Sequence, residues 1–406
     1  MSDLASQRPQ PPATIILVLI GSIGSLGLNI FVPSMPAMAD YFQTDYRIIQ
    51  LAVSLYLGGM ALIQFCVGPL SDRYGRRPVL LACFSIFIVS TAAAIYAPNI
   101  QFLLVCRVFQ ACSAAGIVLS RAVVRDTVTR LDEAASKIGY VATGMSLVPM
   151  LAPTLGGMLD EMYGWKSTFV LMLAAAILAL TITWFFLPET NHRRSSSMMA
   201  QIRGYPQLLG SPRYWGYTLA AGLSSGAFFA FLGGAPYIAT QILGLSPSVY
   251  GMYFAILAAG YTLGNFSSGR FSRYIGINRM MFIGNSLACI GIALSIVLFA
   301  LGFDHAVTLF GPVVAVGIGN GMTLPNAGAG AVSIRPQLAG SASGLSGTLQ
   351  LGTGALLSFI AGATLSAESG PYPLLWVMLI SSALALAATA FVMYIDRQAA
   401  RSTSRS

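Results

Sequence analysis

Four ionised side chains fall close together in the stretch Gly68-Pro-Leu-Ser-Asp-Arg-Tyr-Gly-Arg-Arg-Pro78: Asp72, Arg73, Arg76 and Arg77. The stretch separates apolar runs at 47–70 and 78–97, each about long enough to cross a bilayer. A turn this charged must sit at a water interface, and its positive excess places that interface in the cytoplasm. The chemistry it offers is ion pairing, and by spacing alone it could be an ordinary basic turn that sets topology. Arg107, in Leu103-Leu-Val-Cys-Arg107-Val-Phe-Gln110, cannot be moved to an interface. An Arg at mid-membrane costs about 2.5–3.5 kcal/mol on insertion scales, so it should face a wet cavity or a partner. Catalytic chemistry has little to work with. The two histidines, His192 and His305, fall in loops, and no Asp or Glu lies inside an apolar run. The five cysteines sit in apolar runs without a C-x-x-C pair, so they read as small apolar residues of buried helices and form no metal site. A membrane enzyme or receptor would need a convergent His, Cys or carboxylate cluster.

The elements that must position these residues follow from composition. Of 406 residues 56% are hydrophobic and 9% charged, with mean hydropathy +0.73. Soluble domains carry about a quarter charged residues, so this is a polytopic membrane protein. The net charge of +9 is explained by Lys and Arg retained on the cytoplasmic side, with no need of nucleic acid. Twelve helical spans are expected, at 14–34, 47–70, 78–97, 100–120, 138–159, 166–187, 213–234, 248–268, 279–300, 305–328, 340–365 and 371–395. Helix is the state that satisfies each backbone in lipid. With the amino terminus inside, 19 of 22 Lys and Arg fall on the cytoplasmic side, while Arg47 and Lys166 lie outside and Arg107 lies within a span. Both termini are therefore expected in the cytoplasm. Cleaving residues 14–32 as a signal peptide would invert that orientation.

A polar, basic stretch at 188–212, with Asn191-His-Arg-Arg-Ser-Ser-Ser197, reads as the linker between two six-helix halves, 14–187 and 213–395. Residues 1–13 and 396–406 form cytoplasmic tails. The halves repeat: Gly269-Arg-Phe-Ser-Arg-Tyr-Ile-Gly276 stands 201 residues after the first stretch and keeps its Gly-to-Gly spacing and its Ser. Asp72 has become Arg273, and Arg279 is what remains of the basic pair. A decayed second copy is what two parallel halves would leave.

The motif G-x-L-S-D-R-x-G-R-R resembles the loop between helices two and three of the major facilitator superfamily. Arg107 and Gln110 resemble its helix-four motif R-x-x-Q-G, with Ala111 in place of Gly. Val148-Pro-Met-Leu-Ala-Pro153-Thr-Leu-Gly-Gly157 resembles the helix-five motif of its antiporters. There Pro153, Gly156 and Gly157 match, Pro149 adds a second bend, and Ala152 replaces a Gly. Leu28-Asn29-Ile-Phe-Val-Pro33-Ser-Met-Pro36 resembles helix one of the drug:proton antiporters, particularly the bicyclomycin-resistance (Bcr/CflA) branch. The resemblance implies a twelve-helix, all-α membrane fold of two pseudo-symmetric halves and a monomer without soluble cofactor in a bacterial cytoplasmic membrane. It would export a small amphipathic or drug-like substrate, driven by the proton gradient. It also implies roles. Arg107, with Gln110 and Asn29, would serve the central cavity and coupling. Gly68, Asp72, Arg73, Gly75, Arg76 and Arg77, with Asp126 at the end of helix four, would form a cytoplasmic gate that holds the halves together and parts as the cavity opens inward.

Asn29 stands where that branch commonly has an acid. Proton coupling would then use an interfacial carboxylate such as Asp160 or Asp304, the substrate's own titration, or be absent. The alternative is a same-fold exporter of a metabolite or siderophore, or a facilitator, without conventional coupling. Tyr56, Gln64, Tyr237, Asn265, Asn320 and Gln350 are candidates to line the substrate cavity, together with the aromatic residues Phe228, Phe229, Tyr253 and Tyr261.

Overall fold

Each apolar run closes its own backbone hydrogen bonds as helix. The computed structural model describes residues 12–128, 131–191, 205–335, 338–366 and 368–403. Among them twelve long helical segments stand out. In the first half these are α1 Thr14–Tyr41, α2 Tyr46–Tyr74, α3 Arg76–Ile95, α4 Ile100–Thr127, α5 Leu131–Tyr163 and α6 Lys166–Phe186. In the second they are α7 Pro212–Ile242, α8 Pro247–Ile275, α9 Ile277–Ala300, α10 Ala306–Ser333, α11 Ala339–Thr364 and α12 Tyr372–Thr403. Eleven of the twelve are long and apolar enough to span a bilayer by themselves. The exception is α8, whose Gly251, Gly260, Gly264, Asn265 and Ser268 lower its hydropathy and let it pack closely on α5 and α10. Internal polarity of this kind is what helix–helix packing in lipid uses.

Within the first half α1 packs on α4 and α5, and α3 on α6; within the second, α7 packs on α11 and α12, and α10 on α8 and α9. Two seams, α5 with α8 and α2 with α11, join the halves. α1 is α-helical to Asn29 and then narrows to a 3₁₀ turn at Val32–Ser34, where Pro33 has no N–H to donate.

The charged stretch is less of a loop than the sequence suggests. α2 runs through Asp72 and Arg73 to Tyr74, and α3 starts at Arg76, so Gly75 alone separates them. Gly75 takes φ +104° and ψ 153°, a backbone that L side chains rarely adopt. Its N–H donates to Ser71 O at 3.0 Å. Gly276 joins α8 to α9 with φ +87° and ψ 150°, its N–H on Ser272 O at 2.9 Å. The 201-residue repeat thus survives in backbone geometry where its charges have decayed. Residues 1–11, His192 and Ser195–Ser197 lie outside the described residues.

Candidate functional site

Arg107 has no exposed surface. Its Nε donates to Ala52 O (3.2 Å), Nη2 to Gly27 O (3.0 Å) and Nη1 to Gln110 Oε1 (2.7 Å). The guanidinium lies 4.2 Å from the ring centres of both Phe31 and Tyr56. Gln110 Nε2 donates in turn to Thr91 Oγ1 at 3.1 Å. Tyr56 OH reaches Gly24 O and Ser113 Oγ. Three charge-assisted hydrogen bonds at about 1.5–3 kcal/mol each exceed the insertion cost of about 2.5–3.5 kcal/mol. Each ring face adds about 0.5–2 kcal/mol. The charge is therefore held inside the first half, where it ties α1, α2 and α4 together and, through Gln110, α3. Arg107, Gln110 and Tyr56 do not line the central cavity described below, which corrects the expectation that they would.

At the end of the bundle that carries the Gly75 junction, called here the basic end, Arg76 is buried between two carboxylates. Its Nη1 lies 2.5 Å from Asp72 Oδ1 and its Nε 2.9 Å from Asp126 Oδ2. Nη1 also donates to Ser71 Oγ at 2.6 Å. Arg77 donates to Trp184 O and lies over its ring. Arg73 lies over Tyr74, and Gly68 O accepts from Ser71 Oγ. The sequence does not flag Glu189 for this cluster. Its two carboxylate oxygens accept the N–H groups of Arg76 (3.0 Å) and Arg77 (3.1 Å). An anion on the first amides of a helix satisfies orphan donors and meets the positive end of its dipole. Asn191 adds donors to Ser71 O and Asp72 O. Residues 188–191, expected as the start of a solvated linker, are thus built into the first half. The cluster joins α2, α3, α4 and the exit of α6. The contacts given for its carboxylates and guanidiniums all fall within the first half. In the second half Asp396 pairs with Arg213 (2.9 Å) and accepts from Asn278, at the start of α9, at 2.7 Å.

A cavity of about 310 Å³ lies between the halves. α1 contributes Ser25, Leu28 and Asn29; α2 Met60 and Gln64; α4 Ile117 and Arg121; and α5 Ser146 and Pro149. α7 contributes Ser225, Phe228 and Phe229; α8 Ala258 and Tyr261; α10 Asn320 and Leu324; and α11 Ser343, Gly347, Gln350 and Leu351. Of the cavity candidates, Gln64, Asn320, Gln350 and Asn29 are here. Tyr237 is not; it packs on Tyr46 at 5.0 Å beside Arg47 and Leu365. Asn265 turns to its own helix, bonding Tyr261 O. Tyr253 stacks on Phe310. Arg121, which the sequence places at the inner edge of span four, lines the cavity because α4 continues to Thr127. No carboxylate is among the lining residues.

The opposite, far end is shut. Tyr46 OH donates to Gly233 O (2.9 Å) and Arg47 Nε to Leu365 O (3.0 Å). Gln50 Nε2 donates to Ser358 O (2.5 Å) and Ser358 Oγ (2.7 Å). On the second seam Thr154 Oγ1 donates to Gly251 O, and Ser248 N–H to Glu161 Oε1, both at 2.9 Å. The helix-five motif belongs to this closure. A Cβ at Gly157 would strike Pro247 O and Pro153 O lies against Gly251, both across the seam, while a Cβ at Gly156 would strike Ile30 O of α1 within the first half. Among the described residues no hydrogen bond or ion pair joins the halves at the basic end. Asp160 is the carboxylate found buried at the far end, and His305 Nδ1 caps α10 by accepting from Val307 N–H. Gln50, fully buried, escapes a sequence reading; its polarity at a span edge passes for interface.

The model of the Major Facilitator Superfamily matches residues 17–356 and 236–406. An uncharacterized MFS-type transporter, YdgK, of Bacillus subtilis is 32% identical over 86% of this chain and 87% of its own. Multidrug resistance protein D of Escherichia coli is 29% identical over 86% and 88%. Other relatives are named for chloramphenicol and bicyclomycin resistance, in line with the branch resembled by the sequence. The crystal structure of a bacterial homolog of the human lysosomal transporter Spinster, inward-facing and occupied, matches with TM-score 0.70 over 95% of this chain and 96% of its own. At 16% identity it speaks for the fold alone.

Proposed function

The chain belongs to the Major Facilitator Superfamily, and from that premise we propose that it exports small drug-like molecules across a bacterial cytoplasmic membrane by alternating access. One observation carries the reading: a single cavity is lined by four helices of each half, with apolar walls and a few polar groups. Such a site suits a small amphipathic ligand. The basic end is the cytoplasmic end on the distribution of Lys and Arg, and both termini lie on that side. In that orientation the far end is the outer end and the cavity faces inward, ready to load from the cytoplasm.

Export requires the outer seams to part and the basic end to close. The polar seams at Tyr46, Arg47, Gln50 and Thr154 are few, so a few kcal/mol of differential ligand binding is enough to shift the balance. The fixed part of the first half is supplied by the Arg107 nest and the Arg76 cluster, which let that half rock as a unit. The protein works as a monomer with the proton gradient as its driving force. Asp160 is the proposed proton carrier, buried at the outer end of α5. A second reading, export without proton coupling, is favoured by the cavity's lack of a carboxylate.

The test is uptake of ethidium, chloramphenicol and a fluorescent organic acid into inside-out vesicles, with and without an imposed pH gradient. Uptake that follows the gradient and is uncoupled by Asp160→Asn supports proton-coupled export. Uptake that ignores the gradient selects the second reading, and uptake of none of the three removes the export reading.

A further inference from the structure

We propose that the preferred substrate is an amphipathic organic anion whose acidic group is seated on Arg121. This rests on the export reading above and narrows it to a chemical class.

Arg121 lies on α4, six residues before its end at Thr127, which is about 9 Å along the helix axis from the basic end. It lines the cavity and is exposed to it. Among the described residues it makes neither a hydrogen bond nor an ion pair, whereas Arg76, Arg107 and Arg213 are all satisfied. The lining offers no Asp or Glu to meet it. While the cavity is open, water solvates the guanidinium. Closing the basic end strips that water, and an unpaired buried charge is costly. A substrate carboxylate, sulfonate or phosphate removes the cost, since a guanidinium binds planar anions in a two-point fork. A cationic substrate would find the reverse: like charge on Arg121 and no counter-ion anywhere on the wall.

The rest of the wall fixes the remainder of the molecule. Phe228, Phe229 and Leu351 offer an apolar face. Asn29 Nδ2 is spent on Ser25 O, while its buried Oδ1 has no partner and asks for an N–H or O–H donor. The site therefore describes an apolar body carrying one acid and one donor, and not a small inorganic anion.

The experiment is equilibrium fluorescence binding to the purified full chain in detergent. The probes are three ligands of matched body: dansylglycine (anion), dansylglycinamide (neutral) and monodansylcadaverine (cation). The expected result is that wild type prefers dansylglycine to dansylglycinamide at least tenfold. That ratio should collapse towards one in Arg121→Gln, recover at least in part in Arg121→Lys, and shrink with added salt. Reading a ratio within each variant separates a lost charge contact from a misfolded protein, which loses all probes together. The proposal is overturned if the amide or the cation binds wild type as tightly as the carboxylate, or if Arg121→Gln keeps the wild-type ratio. It is also overturned if inorganic phosphate displaces the probe as effectively as unlabelled N-tosylglycine. The same three probes in inside-out vesicles keep the two readings apart. Export of the neutral or cationic probe but not the anion sinks only the substrate class, whereas export of none sinks the transporter reading itself.

Discussion

Gly362→Ala should open the outer end of this protein. Gly362 faces the buried amide of Gln50, and a Cβ there would fall on that side chain's own atoms. The chain has two ways out. It can keep Gln50 in place and accept an overpacked seam, at about 1–3 kcal/mol. Or Gln50 can leave its slot and forfeit the bonds to Ser358 O and Ser358 Oγ. Two interhelical hydrogen bonds in a bilayer, at about 0.6–1.7 kcal/mol each, come to about 1–3 kcal/mol. Either route penalises the outward-closed state alone, because parting α2 from α11 relieves the clash. A bias of that size shifts the equilibrium roughly 5–150-fold. The Gly-to-Ala gain in helix propensity, up to about 1 kcal/mol, is common to both states and cancels. Hydrogen–deuterium exchange reads the shift directly, as faster exchange in peptides covering 46–50 and 358–365. Gly352→Ala on the same helix is the control, since a Cβ there meets nothing within 4 Å. Exchange in Gly362→Ala equal to that in Gly352→Ala would refute the reasoning.

Further predictions follow from the same geometry. Glu189→Ala should lower thermal stability in detergent by about 1–2 kcal/mol, since two helix-start amides lose their acceptor; an unchanged unfolding temperature would show the contact to be idle. Arg107→Lys should cut initial efflux rates at least tenfold, because a compact ammonium cannot hold three acceptors while lying between two rings; wild-type rates in this variant would contradict that account. Gly157→Ala sets a Cβ against the Pro247 carbonyl, backbone on backbone, and should part the α5–α8 seam at a cost of about 1–3 kcal/mol. Its signature is faster exchange over residues 247–251, and protection equal to wild type there would count against the seam.

Much of this was legible along the chain. The apolar runs could only be helices, and the two Gly-to-Gly stretches gave the repeat. The Pro and Gly of helix five pointed to a close helix contact, which is where the halves meet. These readings succeed because each depends on one segment and its solvent: a backbone in lipid has one way to satisfy itself.

Side-chain partnership was decided elsewhere. Arg107 looked like a cavity residue, yet the carbonyls of Gly27 and Ala52 and the rings of Phe31 and Tyr56, all distant in sequence, enclose it. Arg121 looked like an interfacial charge, yet the continuation of α4 and the approach of the second half made it a wall of the cavity. Glu189 passed for linker until the exit of α6 brought it to the start of α3. Gln50 had no signal at all, because its slot is made by Gly233 and Gly362 of the other half. Burial in lipid and the sign of a charge are properties of a stretch of residues and can be read from it. Which polar group meets which, and whether a charge is satisfied or waits for a ligand, depends on helices separated by tens to hundreds of residues, and only their packing settles it.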